Sequence, residues 1–185
     1  MTIFYIMYAI WGASELVLNR MMRSGSGDQK QADKKSLGLI WLTVLGSITV
    51  AILLTFKVSL PLGREDIIPY AGLLMIIIGV ALRLWIIRQL GRMFTVDVTI
   101  RKDHQLKTDG PYKHLRHPSY AASYLTFVGF GFSLNNWASL LVVAIPVFLA
   151  FRYRIQVEEK VLEEQFGQEY REYKARTNAM IPLVY

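Results

Sequence analysis

The chain has 185 residues, of which 53% are hydrophobic, and it carries a formal net charge of +7. This apolar content is unusually high for one soluble domain and favours a membrane protein. The chain contains no cysteine, which excludes disulfides, thiolate metal ligands and a cysteine nucleophile.

Three apolar segments in the first half of the chain predict membrane-spanning helices. Residues 37–56 form an uncharged run of 20 residues, long enough to cross a hydrocarbon core of ~30 Å at ~1.5 Å per residue. Residues 1–18 contain one acid, Glu15, and residues 67–87 contain one charged residue, Arg83. These segments are spans one to three, with residues 37–56 as the second.

The two charges inside these spans have simple structural interpretations. A carboxylate is costly in lipid, so Glu15 is expected to face a partner or the interior of the helix bundle. Arg83 lies a few residues before the cytoplasmic end of span three, where a long side chain can snorkel to water.

A longer apolar region predicts spans four and five. Residues 118–151 contain no Asp, Glu, Lys or Arg, and Asn135 and Asn136 divide them into two segments of 17 residues each. Each segment is near the lower limit of ~17 residues for a spanning helix, so both are expected to extend into their polar flanks. The fold class predicted is therefore an all-α integral membrane protein with five transmembrane helices.

The distribution of basic residues predicts the orientation in the membrane. The loop at residues 20–35 carries five Lys and Arg, and the loop at residues 88–116 carries seven, whereas the loops around Pro61 and Asn135 are short and poor in both. Basic loops are cytoplasmic, so the N-terminus is expected outside and the C-terminus inside. Basic loops beside anionic lipid explain the net charge without nucleic acid as a partner.

The longest polar stretch between spans separates spans three and four. Within it, residues 94–100 alternate and are rich in β-branched side chains, and residues 107–111 have turn chemistry. A short hairpin or extended cytoplasmic loop is expected here.

The tail after Phe151 predicts a C-terminal cytoplasmic helix. Gly167 interrupts it, and its apolar residues recur at helical spacing on one face: Val157, Val161, Leu162, Phe166, Tyr170 and Tyr173.

A polar motif, GPYKHLRHPSY at residues 110–120, leads directly into span four. Pro118 fits the first turn of a helix, where its missing N–H costs nothing. Arg116 and His117 would then lie near free backbone N–H groups, a place that suits a carboxylate or phosphate, or they would be solvated interface anchors. His114 and His117 lack an evident third or fourth ligand, so no metal site is predicted.

A second polar pair follows span five. Arg154 and Glu158 are one helical turn apart and share a face, which on its own is typical of a solvated helix. A continuous helix would bring them to the end of span four that carries Arg116 and His117. The functional groups would then gather at one boundary between water and lipid.

Four elements in this half of the chain form a specific pattern. Gly-Pro-Tyr, Arg-His-Pro-x-Tyr, Glu-Glu-x-x-Leu and Phe-Gly-x-x-Tyr-x-x-Tyr occur in this order, with a hairpin-sized gap. The pattern resembles the isoprenylcysteine carboxyl methyltransferase family of membrane enzymes over residues 108–185. Residues 1–107 contribute spans one to three, and the two parts are expected to form one structural domain.

The resemblance implies a reaction and a site. The methyl donor is S-adenosylmethionine, and the acceptor is a prenylated cysteine with a free α-carboxylate that enters from the bilayer on the cytoplasmic side. The residues implied in cofactor binding are Lys113, Leu115, His117 and Tyr120, with Glu159, Tyr170 and Tyr173 closing from the tail. Those implied at the reacting centre are Arg116, Arg154 and Glu158.

One departure from the family pattern leaves part of this assignment open. Gln156 and Val157 stand where relatives often continue an acidic run. The choice between Glu158 and Glu159 at the reacting centre therefore stays undecided at the level of sequence.

Three other functions compete with this interpretation. A phospholipid N-methyltransferase would use the same donor with another lipid acceptor, and an NADPH-dependent membrane reductase could have a similar hairpin design. A membrane scaffold or carrier would leave the two-sided cluster of polar motifs unexplained.

Overall fold

The computed structural model of the protein describes residues 2–21, 34–91 and 106–181. Six α-helices and one short 3-10 helix follow in chain order: α1 Thr2–Met21, α2 Lys34–Lys57, α3 Ile68–Leu90, the 3-10 helix Gly110–Lys113, α4 Pro118–Ser133, α5 Trp137–Phe166 and α6 Gln168–Ala175. The predicted all-helical class is confirmed in this part of the chain. The hairpin expected at residues 94–100 lies outside the described residues.

Three of the described helices are long and apolar enough to cross a membrane, namely Ser36–Lys57, Ile68–Leu90 and Trp137–Phe166. The other two predicted spans coincide with α1, of 20 residues, and α4, of 16 residues. The helix α5 continues well beyond Phe151, so the fifth apolar segment and most of the tail helix form one element.

Local sequence signals set the ends of the α4–α5 hairpin. Pro118 is the first residue of α4, as its missing N–H predicts. Asn135 has a positive φ of 48°, and the side chain of Asn136 accepts a hydrogen bond of 3.1 Å from the backbone N–H of Ser139. Asn136 thus caps α5, and the two asparagines make the predicted turn.

Helices α3 and α4 approach closely because glycines face each other. A Cβ at Gly72 would lie 2.3 Å from the backbone nitrogen of Ser133 and 2.5 Å from the carbonyl oxygen of Gly129. A Cβ at Gly129 would lie 2.7 Å from the carbonyl oxygen of Gly72. Small residues that allow close backbone contact are the usual basis of helix packing in membranes.

The remaining helices pack around this pair. Helix α5 packs against α2 and α4, and α1 packs against α3. Trp11 of α1 contacts the rings of Phe127 and Phe130 of α4. Among the described residues, α1 and α2 do not form one of the closely packed helix pairs.

Hydrogen bonds close the end of the bundle that lies away from the polar motifs. The side chain of Asn135 bonds both ways with the backbone of Gly63, at 3.1 and 3.2 Å, and the N–H of Trp137 donates to Leu60 at 2.8 Å. The α2–α3 loop is thereby joined to the α4–α5 turn.

Gly72→Ala should destabilise the protein by about 1–3 kcal/mol, because its Cβ would meet backbone atoms of α4 that cannot move cheaply. The matched control is Gly46→Ala in α2, where a Cβ meets nothing within 4 Å and the loss of a flexible glycine should be neutral or stabilising. Unfolding temperatures in detergent compare the two variants. Equal unfolding temperatures would show that the α3–α4 contact is looser than described.

Candidate active site

The C-terminal chain folds back onto residues 115–117, directly before α4. Leu115 and Asn178 form an isolated parallel β-bridge. The N–H groups of Arg116 and His117 donate to the carbonyl oxygens of Asn178 and Ala179, each at 2.9 Å. Met180, two residues beyond Asn178, is completely buried in the main hydrophobic core. The tail is therefore an integral part of the fold.

A buried ion pair fixes this arrangement. The Nε atom of Arg116 lies 2.7 Å from Oε1 of Glu159 in α5, and both side chains are about nine-tenths buried. The Arg116 guanidinium also donates to the carbonyl oxygens of Thr177 and Lys174. The Nζ atom of Lys174 in α6 lies 2.8 Å from the other carboxylate oxygen of Glu159. One carboxylate and one guanidinium thus join α4, α5 and α6.

Arg154 is buried at the centre of the same region, with only 1% of its surface exposed. Its Nη1 atom donates to the hydroxyl of Ser36 at the start of α2, and its Nε atom lies 3.4 Å from the hydroxyl of Tyr120 in α4. A buried cation of this kind needs partners from several elements, and here α2 and α4 supply them.

Glu158 lies one turn after Arg154 on α5, and its side chain is about one-third exposed. One of its oxygens is 3.8 Å from Nδ1 of His117, while Nε2 of His117 is 3.4 Å from Glu159. The two neighbouring glutamates therefore have different surroundings. Glu159 is tied to Arg116 and Lys174, whereas Glu158 lines the cavity described below.

Two buried tyrosines of α6 cover the site. The hydroxyl of Tyr173 donates to the carbonyl oxygen of Tyr112 at 2.6 Å, while the hydroxyl of Tyr170 is buried without a hydrogen-bond partner in the described residues. Burial raises the pKa of Tyr170, and it raises the pKa of Tyr173 to about 12 although Arg116 and Arg176 oppose this shift. Both phenols stay protonated at neutral pH, so Tyr173 donates to Tyr112 and Tyr170 keeps a donor that a ligand can use.

A cavity of about 470 Å³ connects these groups with the space between α1 and α2. This volume is within the range of ~300–1,000 Å³ that is usual for small-molecule sites. The end near the tail is polar, since it is lined by Tyr112, Arg116, His117, Tyr120, Arg154, Glu158, Tyr170 and Tyr173. The wall supplied by α2 is apolar and consists of Leu37, Ile40, Trp41, Val44, Leu45, Ile48 and Ile52. We call the part between α1 and α2 the lipid slot.

The structure brings together most of the site residues predicted from the sequence. Those that line the cavity are Arg116, His117, Tyr120, Arg154, Glu158, Tyr170 and Tyr173. Glu159 lies just behind the wall in its ion pair. Lys113 and Leu115 do not reach the cavity, because Lys113 is exposed at the end of the 3-10 helix and Leu115 is engaged with the tail.

Several cavity residues were not selected from the sequence. Tyr112 lines the cavity and belongs to the Gly-Pro-Tyr element, so its motif is a usable signal. Ser36 binds Arg154 without lining the cavity, and it has no motif around it. The expectation that Glu15 faces a partner is confirmed: its Oε2 lies 3.1 Å from Nη2 of Arg83. The interpretation of Arg83 as a snorkelling residue is wrong, because its side chain is only 16% exposed and is paired in the bundle.

Comparison with known proteins defines the class. A family model described as phospholipid methyltransferase matches residues 67–169. Protein-S-isoprenylcysteine O-methyltransferase B of Arabidopsis thaliana is 40% identical over 115 residues, which are 61% of this chain and 58% of that protein. The Saccharomyces cerevisiae protein-S-isoprenylcysteine O-methyltransferase is 36% identical over 115 residues, 61% of this chain and 48% of that protein.

A solved structure agrees with these relatives. The eukaryotic intramembrane Ras methyltransferase, an isoprenylcysteine carboxyl methyltransferase, superposes with a TM-score of 0.64 at 27% identity, over 78% of this chain and 52% of that one. Because the family model covers more than half of the chain, the protein belongs to the phospholipid methyltransferase family. The resemblance to isoprenylcysteine carboxyl methyltransferases is confirmed. The chain spans about half to three-fifths of the length of these relatives.

Arg116→Gln should release α6 and the chain after it from the start of α4. Breaking a buried ion pair by removing one partner costs about 3–5 kcal/mol, so Glu159 would no longer hold the tail firmly. Chymotrypsin should then cleave after Phe166, Tyr170 or Tyr173 faster than in the unchanged protein, by about tenfold or more on that energy scale.

The matched control is Arg171→Gln, which removes an ion pair with Glu163 that is 3.7 Å long and about half exposed. Such surface pairs are worth about 0–1 kcal/mol, so cleavage should hardly change. If both variants resist chymotrypsin equally, the Arg116–Glu159 pair does not hold the tail.

Proposed function

We propose that this protein transfers a methyl group from S-adenosylmethionine to the α-carboxylate of a prenylated cysteine at the cytoplasmic face of a membrane. The observation that carries the proposal is that one cavity has both a polar end and an apolar slot. Such a cavity suits one reactant from water and one from lipid. The relatives are named protein-S-isoprenylcysteine O-methyltransferases, which supports the same acceptor.

The polar end fits the donor. S-adenosylmethionine supplies a methyl group that is already activated by its sulfonium. The buried hydroxyl of Tyr170 has no partner in the described part of the chain, so it is a donor available to a ligand atom. His117, Tyr120 and Tyr173 add aromatic walls, and the carboxylate of Glu158 suits the positive charge of the donor. We assign Lys113 and Leu115, expected on this wall, no direct contact.

The lipid slot fits the prenyl chain. Its α2 wall is a stripe of apolar side chains at helical spacing, and Trp11, Gly12 and Leu16 line it from α1. Drawing a hydrocarbon chain through water would cost about 0.8 kcal/mol per CH₂, so entry directly from the bilayer is favoured. A slot between two helices that do not pack closely together provides this route.

The chemistry requires positioning and charge neutralisation more than proton transfer. An α-carboxyl group has a pKa of ~3.3–3.7, so the acceptor is ionised at neutral pH and needs no general base. Arg154 is the natural ligand for it, because a guanidinium can give a carboxylate two parallel hydrogen bonds. The hydroxyls of Ser36 and Tyr120 hold its Nη1 and Nε atoms, which preorganises the group.

The other predicted residues take supporting roles in this proposal. Glu158 orients Arg154 from one turn further along α5. Arg116, expected at the reacting centre, is engaged with Glu159 and with tail carbonyl oxygens, so we assign it to holding the tail in place. The closed tail excludes water and thereby strengthens the electrostatic interactions in the site.

We infer five membrane spans with the N-terminus outside and the C-terminus in the cytoplasm. Helix α4 has only 16 residues, but it runs from the site to Asn135, which bonds with Gly63 at the far end of the bundle. Helix α1 contacts both ends as well, through Tyr8 with Ser133 at 2.6 Å and through Glu15 with Arg83. Arg20 and Arg88 lie in the last turns of α1 and α3, and the neighbouring Asn19 and Leu90 line the cavity. These basic helix ends are therefore at the end that carries the site, which the positive-inside rule assigns to the cytoplasm.

The main alternative function is methylation of a phospholipid amine, which agrees with the family description, phospholipid methyltransferase. An amine is mostly protonated at neutral pH and cannot attack before a base removes its proton. The cavity instead presents the buried cation Arg154, which suits an anionic acceptor. The methyltransferase relatives also disfavour the NADPH-dependent reductase.

Arg154→Ala should lower turnover of a prenylcysteine by about 100-fold or more, the usual cost of removing a group that stabilises charge at a reacting centre. The Kd for S-adenosylhomocysteine, from calorimetric titration of the purified protein, should stay nearly unchanged. Arg154→Lys should recover only part of the turnover, because an ammonium cannot form the two parallel hydrogen bonds.

The neighbouring Arg152 provides the control, since it is exposed and does not line the cavity. Arg152→Ala should keep both turnover and affinity. Full turnover by Arg154→Ala would refute the acceptor assignment, as would methylation of phosphatidylethanolamine in place of prenylcysteine. If the wild-type protein binds NADPH but not S-adenosylhomocysteine, the assignment of S-adenosylmethionine as methyl donor is wrong.

A further inference from the structure

An ion pair in the cavity wall has no role in the mechanism described so far. Oε2 of Glu15 in α1 lies 3.1 Å from Nη2 of Arg83 in α3, with side chains that are 20% and 16% exposed. Both residues line the cavity. Ionisable groups inside membrane helices are costly and are usually functional, so this pair calls for an explanation.

The pair lies at the depth of the reacting centre. Gly79 of α3 faces Ala122 and Thr126 of α4, and the two helices run antiparallel. Arg83, one turn further towards the cytoplasmic end of α3, is therefore level with the first turn of α4. That turn carries Tyr120, which bonds to Arg154. Arg154 on α5 and the Glu15–Arg83 pair thus belong to different walls of one layer of the cavity.

Glu15 and Arg83 have more hydrogen-bond donors and acceptors than their contact with each other uses. The Nε atom of Arg83 is buried without a hydrogen-bond partner in the described residues. A guanidinium has five N–H donors, and a carboxylate has about four acceptor sites, so one contact leaves both groups able to bind more. A buried donor without a partner is costly, and a ligand that pairs with it removes that cost.

The pair complements a neutral group that has one donor and one acceptor. Because its two charges cancel, it has little preference for another anion, and Arg154 already serves the carboxylate in the proposed function. A peptide amide has one N–H and one C=O. Arg83 can donate to the C=O, and Glu15 can accept from the N–H.

The acceptor chemistry provides such an amide at the right place. In a protein-borne prenylcysteine, three groups diverge from the cysteine Cα: the carboxylate, the prenylated side chain and the amide to the preceding residue. The cavity has a region for each, namely Arg154, the lipid slot and the Glu15–Arg83 pair. Building on the proposed function, we propose that Glu15 and Arg83 bind the peptide amide that precedes the prenylated cysteine and so select protein-borne acceptors.

Two acceptors that differ only in the amide test the proposal. N-acetyl-S-farnesylcysteine carries the amide, and 3-(farnesylthio)propionate has the same carboxylate and prenyl chain without it. The wild-type protein should prefer the first in kcat/KM by about tenfold or more, as expected for hydrogen bonds to charged groups. The double variant Glu15→Leu/Arg83→Met should lose this preference, so that the ratio of the two kcat/KM values approaches one.

The ratio separates recognition from a merely structural role. If the pair only joins α1 to α3, the double variant should lower both kcat/KM values equally and leave their ratio unchanged. Replacing a buried pair by apolar residues of similar volume is often tolerated, and the Kd for S-adenosylhomocysteine checks that the variant is folded. The control is Arg64→Met/Asp66→Leu, which removes an exposed ion pair at the other end of the bundle and should keep the wild-type ratio.

A second variant keeps the experiment decisive if the apolar replacement unfolds. Glu15→Arg/Arg83→Glu retains an ion pair but exchanges donor and acceptor, so it should also lose the preference for the amide. An unchanged ratio in a folded variant, or equal use of both acceptors by the wild type, would overturn this proposal alone. A wild type that methylates neither acceptor would refute the proposed function, and this proposal with it.

Discussion

The return of the tail onto the segment directly before α4 is the contact on which the rest of the site depends. It combines a short backbone pairing at Leu115 and Asn178 with the buried ion pair of Arg116 and Glu159. Both interactions would be weak if they were exposed to water. Because the ion pair is buried, removing either Arg116 or Glu159 would cost much free energy of folding. Without this contact Tyr170 and Tyr173 would not cover the cavity, and its polar end would open to the solvent.

The proposed function sets the opposite requirement at the lipid slot, which has to stay accessible from the bilayer. The glycine contact of α3 with α4 and the bonds of Asn135 with Gly63 hold the centre and the far end of the bundle together. Helices α1 and α2 do not pack closely against each other, and both line the lipid slot. Tight packing of α3 with α4, combined with loose packing between α1 and α2, fits an enzyme whose substrate stays anchored in the bilayer.

The sequence predicts those features of the fold and the site that depend on local patterns of residues. Apolar length locates the helices, Pro118 and Asn136 mark helix starts, and ordered motifs identify most residues at the polar end of the cavity. It does not predict pairs that depend on how distant helices are placed, such as Ser36 with Arg154 or Glu15 with Arg83. The same limit applies to Lys113 and Leu115, which belong to the motif but lie off the wall because the backbone turns there to meet the tail.

The proposed function requires one cavity that joins a water-facing donor site to the lipid slot. Photo-crosslinking tests it directly, with a prenylcysteine that carries a diazirine at the end of its prenyl chain. Mass spectrometry should find adducts on slot residues such as Leu16, Ile40 and Val44, and excess unlabelled prenylcysteine should suppress them. Adducts confined to the outward face of α2, at Leu42 or Leu53, would contradict the account.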